Sequence, residues 1–487
     1  MLHDLIAERK RKLAAYRAVA DPYPAQAART VALGDLTARF GALARGKRRV
    51  SVVGRVTSWR DQGKILFATL ADATGKIQAV MTAEETAPFT LLKHSVDIGD
   101  FLEVQGRPFT TKRGEKSVLS ARARLVAKSV RPVPSEWCGL SDVETRLRKR
   151  YLDLLVNPGV RELFVKKSEF WRAMREQLVK GGFLEMETGV LEPVPGGADA
   201  EPFVTHLNAL NRDFYLRISL ELPLKRLLVG GYEKVFEIGR VFRNEGMDRD
   251  HLQDYTQMEC YAAYWDHRDM MRFVEQLYRA VVKRTTGSFS TMRGGTTVDW
   301  KKRWSEVDYF KAFMKATGID LERVTRDALH REAEKRGLAP EPRAGRPAQA
   351  GRGRLIDLIF KKTVQPKLIQ PCFLTGHPVD ISPLAKADPK HPKKTLRFQV
   401  MAAGTELGNG WAELNDPEEQ RRRFDEQMKL RAAGDREAQR LDEDFIEALE
   451  YGMPPAAGFG LSERLFAVIM DKPIRETVLF PLMREGK

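Results

Sequence analysis

Hydrophobic positions along this 487-residue chain change their spacing several times, and each change marks a new element. Leu2, Leu5, Ile6, Leu13 and Tyr16 recur at helical spacing among Lys and Arg, which predicts an amphipathic helix over residues 1–20, ended by Pro22 and Pro24. A second helix is expected over residues 32–45. Residues 48–130 shorten to five apolar runs: RVSVVGRVTSWR, KILFATLADA, GKIQAVMT, FLEVQGRPFTT and KSVLSARARLVA. Glycines 54, 63, 75, 106 and 114 punctuate them. Five short strands in about eighty residues suit a small β-barrel, of which the OB-fold is the five-stranded form. Pro132 and Pro134 open a basic stretch, 131–165, that reads as a linker.

Helical spacing returns over 161–182 with Phe164, Phe170 and Leu178, and GFLEMETGVL after it reads as a strand. Lys234 to Asn244 and Thr256 to Tyr264 have the β-branched and aromatic content of strands, and the polar residues between them make a long antiparallel hairpin. A helix and a strand follow over 265–300, then two helical stretches over 306–338. Residues 339–354, rich in Pro, Gly, Ala and Arg, predict an exposed mobile loop, and apolar runs resume at Leu355. Helices mixed with an antiparallel hairpin predict an α+β fold. The expected domains are a helical extension (1–47), a barrel (48–130), a linker (131–165) and an α+β domain (166–487).

A formal charge of +16 adds a polyanionic partner such as RNA, although a generally basic proteome gives the same balance. Cys138, Cys260 and Cys372 are far apart with no CxxC, which favours a reducing cytoplasm over disulfides or a thiolate zinc site. The N-terminus lacks the apolar core of a signal peptide, and no uncharged apolar run reaches the roughly 18 residues a membrane span needs.

The hairpin is where chemistry concentrates. Residues two apart on a strand share a face, so Arg243 and Glu245 point together at the end of its first strand and Glu259 and Tyr261 on its second. Its loop holds Gly246, Asp248, Arg249, Asp250 and His251. An Arg, carboxylates and a His at one mouth could hold a phosphate, a metal and an amine; a solvated hairpin with scattered charges would carry the same residues. Asn409, Trp411 and Glu413 alternate and so share a face, and the Gly196–Gly197 pair allows close backbone approach to a ligand. No GxxxxGK[ST] phosphate loop is present.

The sequence Phe242-Arg243-Asn244-Glu245 between two strands resembles motif 2 of the class II aminoacyl-tRNA synthetases. GFGLSERLFAVIM, residues 458–470, resembles their motif 3. Within that class, PGGADAEPF (195–203), LELPLKRLLVGGYEKVFEIGRVFRNEG (220–246), ELGNGWAELND (406–416) and YGMPPAAGFG (451–460) follow the order of the lysyl-tRNA synthetase family. The resemblance covers nearly the whole chain. It implies an antiparallel-sheet catalytic domain behind an N-terminal OB-fold, and ATP-dependent formation of lysyl-adenylate followed by transfer to tRNA(Lys). It also implies Mg²⁺, a cytoplasmic homodimer, and a helix–strand unit (motif 1) at the start of the catalytic domain that builds the dimer.

By the same resemblance Arg243 and Arg464 hold the α- and γ-phosphates of ATP. Glu245 orients the adenine, His251 and Tyr255 meet the triphosphate and the adenine ring, and Gly458 and Gly460 leave room for nucleotide. Glu406 ligates magnesium. Gly197, Glu221, Glu259, Tyr261, Asn409, Trp411 and Glu413 form the lysine pocket, whose three carboxylates suit a cationic side chain. Phe67 stacks on an anticodon base, Gln78 and Glu115 contact others, and Arg60 is a candidate for phosphate. The chain departs from the family at four places: Gly189 replaces Pro, Glu201 replaces Arg, Gln399 stands where the second metal ligand is Glu, and motif 3 is one residue short with Ser462 for its third Gly. Rival readings are an enzyme of the Asp/Asn branch, a relative that lysylates protein, and a nucleic-acid-binding paralogue with weakened catalysis.

Overall fold

The computed structural model describes residues 2–46, 48–134, 140–246, 251–338, 351–433 and 438–484. They divide into two compact units, Met1–Asp142 and Val143–Lys487. In the first, the strands Val50–Asp61, Ile65–Ala71, Lys76–Thr82, Phe101–Thr110 and Lys116–Ala127 close into a barrel. Alternation sorts their side chains: Leu66, Ala68 and Leu70 are fully buried inside, while Phe67 and Thr69 face outward. The register shifts at Gln105/Gly106, where a side chain on Gly106 would strike the Leu119 carbonyl.

The N-terminal helix is Leu2–Arg17, but its apolar stripe is not a packing stripe. Only Tyr16 is buried, its hydroxyl accepting from the Leu125 N–H at 3.0 Å; Leu2 and Leu5 stay exposed. Polar contacts hold the first turns, with Arg9 donating to Ser129 O and Lys12 paired with Asp97. The expected helix over 32–45 is two, Leu33–Ala38 and Phe40–Arg45. The break at Arg39 lets Leu33, Leu36 and Phe40 all enter the barrel core.

The second unit is built on an eight-stranded sheet. Its strand order is Ser305–Asp308, Cys372–Thr375, Arg397–Ala402, Thr405–Ala412, Ala456–Ser462, Asp254–Ala263, Lys234–Phe242 and Leu184–Glu185. The outermost pair at each edge is parallel and the rest are antiparallel. One face is covered by the helices Pro158–Lys180 and His267–Thr286, which bury Phe170, Leu178, Val274 and Tyr278 against Met258, Cys260, Phe398 and Phe459. A capping box at Asp266 starts the second helix and Gly287, at φ +78°, ends it. No described helix is long and apolar enough to cross a membrane.

Four expectations need correction. GFLEMETGVL is not one strand: only Leu184–Glu185 and Leu191–Glu192 pair, in different sheets. The boundary at 165 falls inside the helix Pro158–Lys180, and the helices Val143–Arg148 and Arg150–Val156 before it belong to the second unit. The region after the helix His267–Thr286 holds a hairpin, Ser290–Arg293 with Thr296–Asp299, where one strand was expected. Of the expected loop at 339–354, residues 339–350 lie outside the described ones, and Arg352 already begins a helix, Arg352–Thr363.

Candidate active site

The register of three central strands decides which side chains meet. Glu259 pairs with Gly460, which pairs with Asn409; Tyr261 pairs with Gly458, which pairs with Trp411. Directly opposed residues point to the same face. Two rows therefore cross the sheet on the face away from the long helices, each with a glycine in the middle. The missing side chains leave a trough, which opens into a cleft of about 270 Å³. A side chain at Gly458 would collide with Glu413 Oε1 and the Tyr261 ring.

Arg243, Glu245, His251, Tyr255, Glu406 and Arg464 all line this cleft. The first hairpin strand ends at Phe242, so Arg243 and Glu245 are not strand residues as the parity argument assumed. Arg243 is held instead by its N–H to Gln253 O at 2.7 Å and by Nε to Ile218 O at 3.3 Å, with its guanidinium 5.5 Å from the centre of the Tyr255 ring. Loop positions Asp248, Arg249 and Asp250 lie outside the described residues. The backbone of Glu201 accepts from Asn244 N–H at 2.7 Å, so the position with reversed charge abuts this loop.

Arg464 opens the helix Arg464–Ile469 immediately after the glycine strand. The turn before it is secured by Glu463, which is fully buried. Its carboxylate holds Lys167 of the long helix and accepts the Thr256 N–H at 3.3 Å, and Lys167 also donates to Thr477 O at 2.7 Å. That ion pair ties the turn to the long helix. Sequence reasoning missed both residues, and nothing local in the chain links positions 296 apart.

The pocket carboxylates are each almost wholly buried. Glu259 Oε1 accepts from Ser219 Oγ (2.7 Å), Leu220 N–H (3.1 Å) and Gln257 Nε2 (2.6 Å), and Oε2 from the Tyr261 hydroxyl (2.8 Å). Burial raises its carboxyl above the ordinary range, and these donors oppose the rise. Glu221 and Glu413 instead share a residue that sequence reasoning did not select, Lys225, whose ammonium contacts both. The one signal was the i,i+4 spacing of Glu221 and Lys225. Trp411 Nε1 donates to Glu413 Oε2 at 2.7 Å. Gly197, at φ +82°, lies against Glu221 and Ser219. Asn409 Oδ1 accepts from Arg397 Nε at 2.9 Å, and Arg397, also missed, covers the Trp411 ring at 5.7 Å.

Gln399 is not brought to the cleft. Its Oε1 lies 3.0 Å from Nε2 of His377, a fully buried ring whose pKa burial pushes down to about 3. Among the described residues no group of three or more His, Cys, Asp or Glu is arranged to hold a metal. Of the half-buried carboxylates lining the cleft, Glu245 and Glu406, the second is the candidate for a hard cation whose other oxygens come from a ligand.

On the barrel, Arg60 pairs across strands with Phe67, its guanidinium 5.5 Å from the ring centre and its Nη2 3.3 Å from Gln78 Oε1. Gln78 Nε2 donates to Ser117 Oγ at 2.9 Å. Phe67 is half-buried on the outer face and is not part of the barrel core. Glu115 is exposed in the turn two residues before Ser117. Arg60, Phe67 and Gln78 thus form one polar–aromatic surface, with Glu115 in a neighbouring turn.

Residues 142–484 match the family described as tRNA synthetases class II (D, K and N), and residues 50–133 match the OB-fold nucleic acid binding domain. The lysine--tRNA ligase of Roseiflexus castenholzii is 45% identical over 490 residues, covering 99% of each chain. That of Moorella thermoacetica is 45% identical over 90% of this chain and 89% of its own. That of Carboxydothermus hydrogenoformans is 42% identical over 99% and 98%.

Proposed function

The chain belongs to the class II tRNA synthetases (D, K and N), and on that footing we propose that its cleft joins L-lysine to ATP as lysyl-adenylate and passes the lysyl group to the 3′ end of tRNA(Lys). The observation that carries the assignment to lysine is the pair Glu221 and Glu259 lining one cleft beside Arg243, with buried Glu413 just behind its floor at Gly458. Carboxylates suit an ammonium side chain; an aspartate-specific site would need cations in their place.

Lysine's carboxylate, ionised at neutral pH, attacks the α-phosphorus of ATP. The new C–O–P anhydride forms as the bond to pyrophosphate breaks, so no protein base is needed. The terminal ribose hydroxyl of the tRNA then attacks the carbonyl carbon and AMP leaves. Arg243 neutralises the α-phosphate through its planar fork of donors, and Arg464 the γ-phosphate. Tyr255 stacks on adenine, Glu245 accepts from its amino group, and His251 meets the triphosphate. Tyr261 keeps Glu259 oriented, Trp411 covers the aliphatic stem of lysine, and Gly197 and Asn409 border the pocket. Glu406 would hold Mg²⁺ carried by ATP, which supplies charge neutralisation on the phosphates; Gln399 does not fit as its second ligand, because its oxygen is engaged by His377. On the barrel, Phe67, Gln78, Glu115 and Arg60 contact the anticodon. The protein acts in the cytoplasm as a homodimer through motif 1. Exposed Val165, Val179 and Leu184 support that assembly.

ATP–pyrophosphate exchange with each of the twenty amino acids tests this reading. Lysine-dependent exchange that needs Mg²⁺ is expected, and exchange with aspartate but not lysine overturns it.

A further inference from the structure

Lys225 lies one turn after Glu221 in the helix Glu221–Val229, and none of its side chain is exposed. A buried ammonium is costly unless carboxylates neutralise it. Two do: Nζ is 2.5 Å from Glu221 Oε1 and in contact with Glu413 Oε2. The Trp411 and Phe445 rings each lie 5.9 Å from the same nitrogen. Glu221 lines the cleft and Lys225 does not. Glu413 Oε1, the oxygen left over by Lys225 and Trp411, has no hydrogen-bond partner and faces Gly458 in the cleft floor. Of the pair, Glu221 therefore reaches the cleft, while Glu413 sits behind its floor with one buried oxygen unused.

Charge gives this arrangement a purpose. Glu221, Glu259 and Glu413 bring three negative charges and Lys225 returns one, leaving two. Free lysine brings two ammonium groups, α and ε, besides the carboxylate that reacts with ATP. A neutral side chain would leave one carboxylate buried and unmatched.

We propose that Lys225 is a positioning and specificity residue of the amino-acid pocket, holding Glu221 and Glu413 ionised and side by side so that a diamine finds its acceptors already formed. This rests on the reading of the cleft as a lysine site. Two buried carboxylates without a cation share a proton. That proton would compete with the ligand's ammonium for the same oxygens. Burial raises both carboxyls and Lys225 opposes that rise without cancelling it, while the two glutamates outweigh burial on Lys225 and hold its ammonium above the ordinary range. Among the described residues no other cation is paired with Glu221 or Glu413. Glu259 and Tyr261 approach from the hairpin, Glu192 faces Glu259 and Arg226, and Arg226, next on the same helix, is paired with Asp442 and Asp444.

The test is lysine-dependent pyrophosphate exchange between about pH 7 and about pH 8.5 for the wild type, Lys225→Met and Lys225→Gln. Wild-type lysine KM should be flat. Both variants should show a lysine KM raised at least about tenfold at the acid end and falling about tenfold per pH unit, with ATP KM unchanged. Lysine and ATP constants that move together, or a variant profile parallel to the wild type, would overturn the role. If neither variant folds, the wild type decides. A lysine-induced rise in melting temperature that is constant over this range supports the proposal, and one that grows with pH overturns it. Absence of lysine-dependent exchange in the wild type would instead remove the lysine reading itself.

Discussion

Glu259→Gln separates ligand recognition from architecture, because the structure specifies how each should respond. The carboxylate accepts four hydrogen bonds, three at Oε1 and one at Oε2. Glutamine can place its carbonyl oxygen where Oε1 stands and keep the bonds from Ser219, Leu220 and Gln257. Its NH₂ then faces the Tyr261 hydroxyl, which can rotate to accept. The fold therefore loses at most about one ordinary hydrogen bond, roughly 0.5–1.5 kcal/mol, and sheds a buried charge. The ligand loses a charge-assisted partner, worth about 1.5–3 kcal/mol, or roughly ten- to hundredfold in lysine KM. ATP KM should stay near the wild-type value, since the phosphates are assigned to Arg243 and Arg464. Exchange kinetics varying each substrate in turn, beside a melting curve, measures all three quantities. If lysine and ATP constants rise together while the melting temperature collapses, Glu259 organises Ser219 and Tyr261 and does not meet the ligand.

Gly458→Ala should cost about 1–3 kcal/mol by overpacking and raise lysine KM, because the new Cβ meets a pinned carboxylate and a buried ring; an unchanged melting curve and KM would refute the trough. Phe67→Ala should weaken tRNA charging by about 1–3 kcal/mol of lost stacking and leave lysine-dependent exchange intact; equal damage to both would make Phe67 a structural residue. His377 has a folded pKa near 3 against an ordinary 6.5, so the unfolded chain takes up the proton first. Stability should fall as pH drops from about 6.5 toward 3, by on the order of 4 kcal/mol, and His377→Asn should flatten that limb in denaturant titrations; parallel limbs would contradict it. Light scattering at micromolar concentration should give a dimer, and a monomer would remove the role assigned to motif 1.

Local pattern carried much of this protein. Five short apolar runs punctuated by glycine located all five barrel strands, and period-two alternation put Glu259 with Tyr261, because a strand's faces are set by its own backbone. The motifs around Arg243 and Arg464 pointed to the family, and of the catalytic-domain residues it implied all but Glu413 and Gln399 line the cleft. What the chain could not show locally is where long-range pairing puts a charge. Lys225 reads as an ordinary helix lysine until sheet register brings Glu413 to it, and Glu463 reads as a surface acid until the long helix delivers Lys167. Gln399 looks like a ligand by position, yet in the packed sheet its amide oxygen meets the buried ring of His377, outside the cleft lining. Leu2 and Leu5 sit at the right spacing for burial and stay in water, since the barrel meets that helix at Tyr16. Periodicity encodes which face a residue occupies; only the packed sheet decides what stands opposite it, because burial makes an unpaired charge too costly to leave alone.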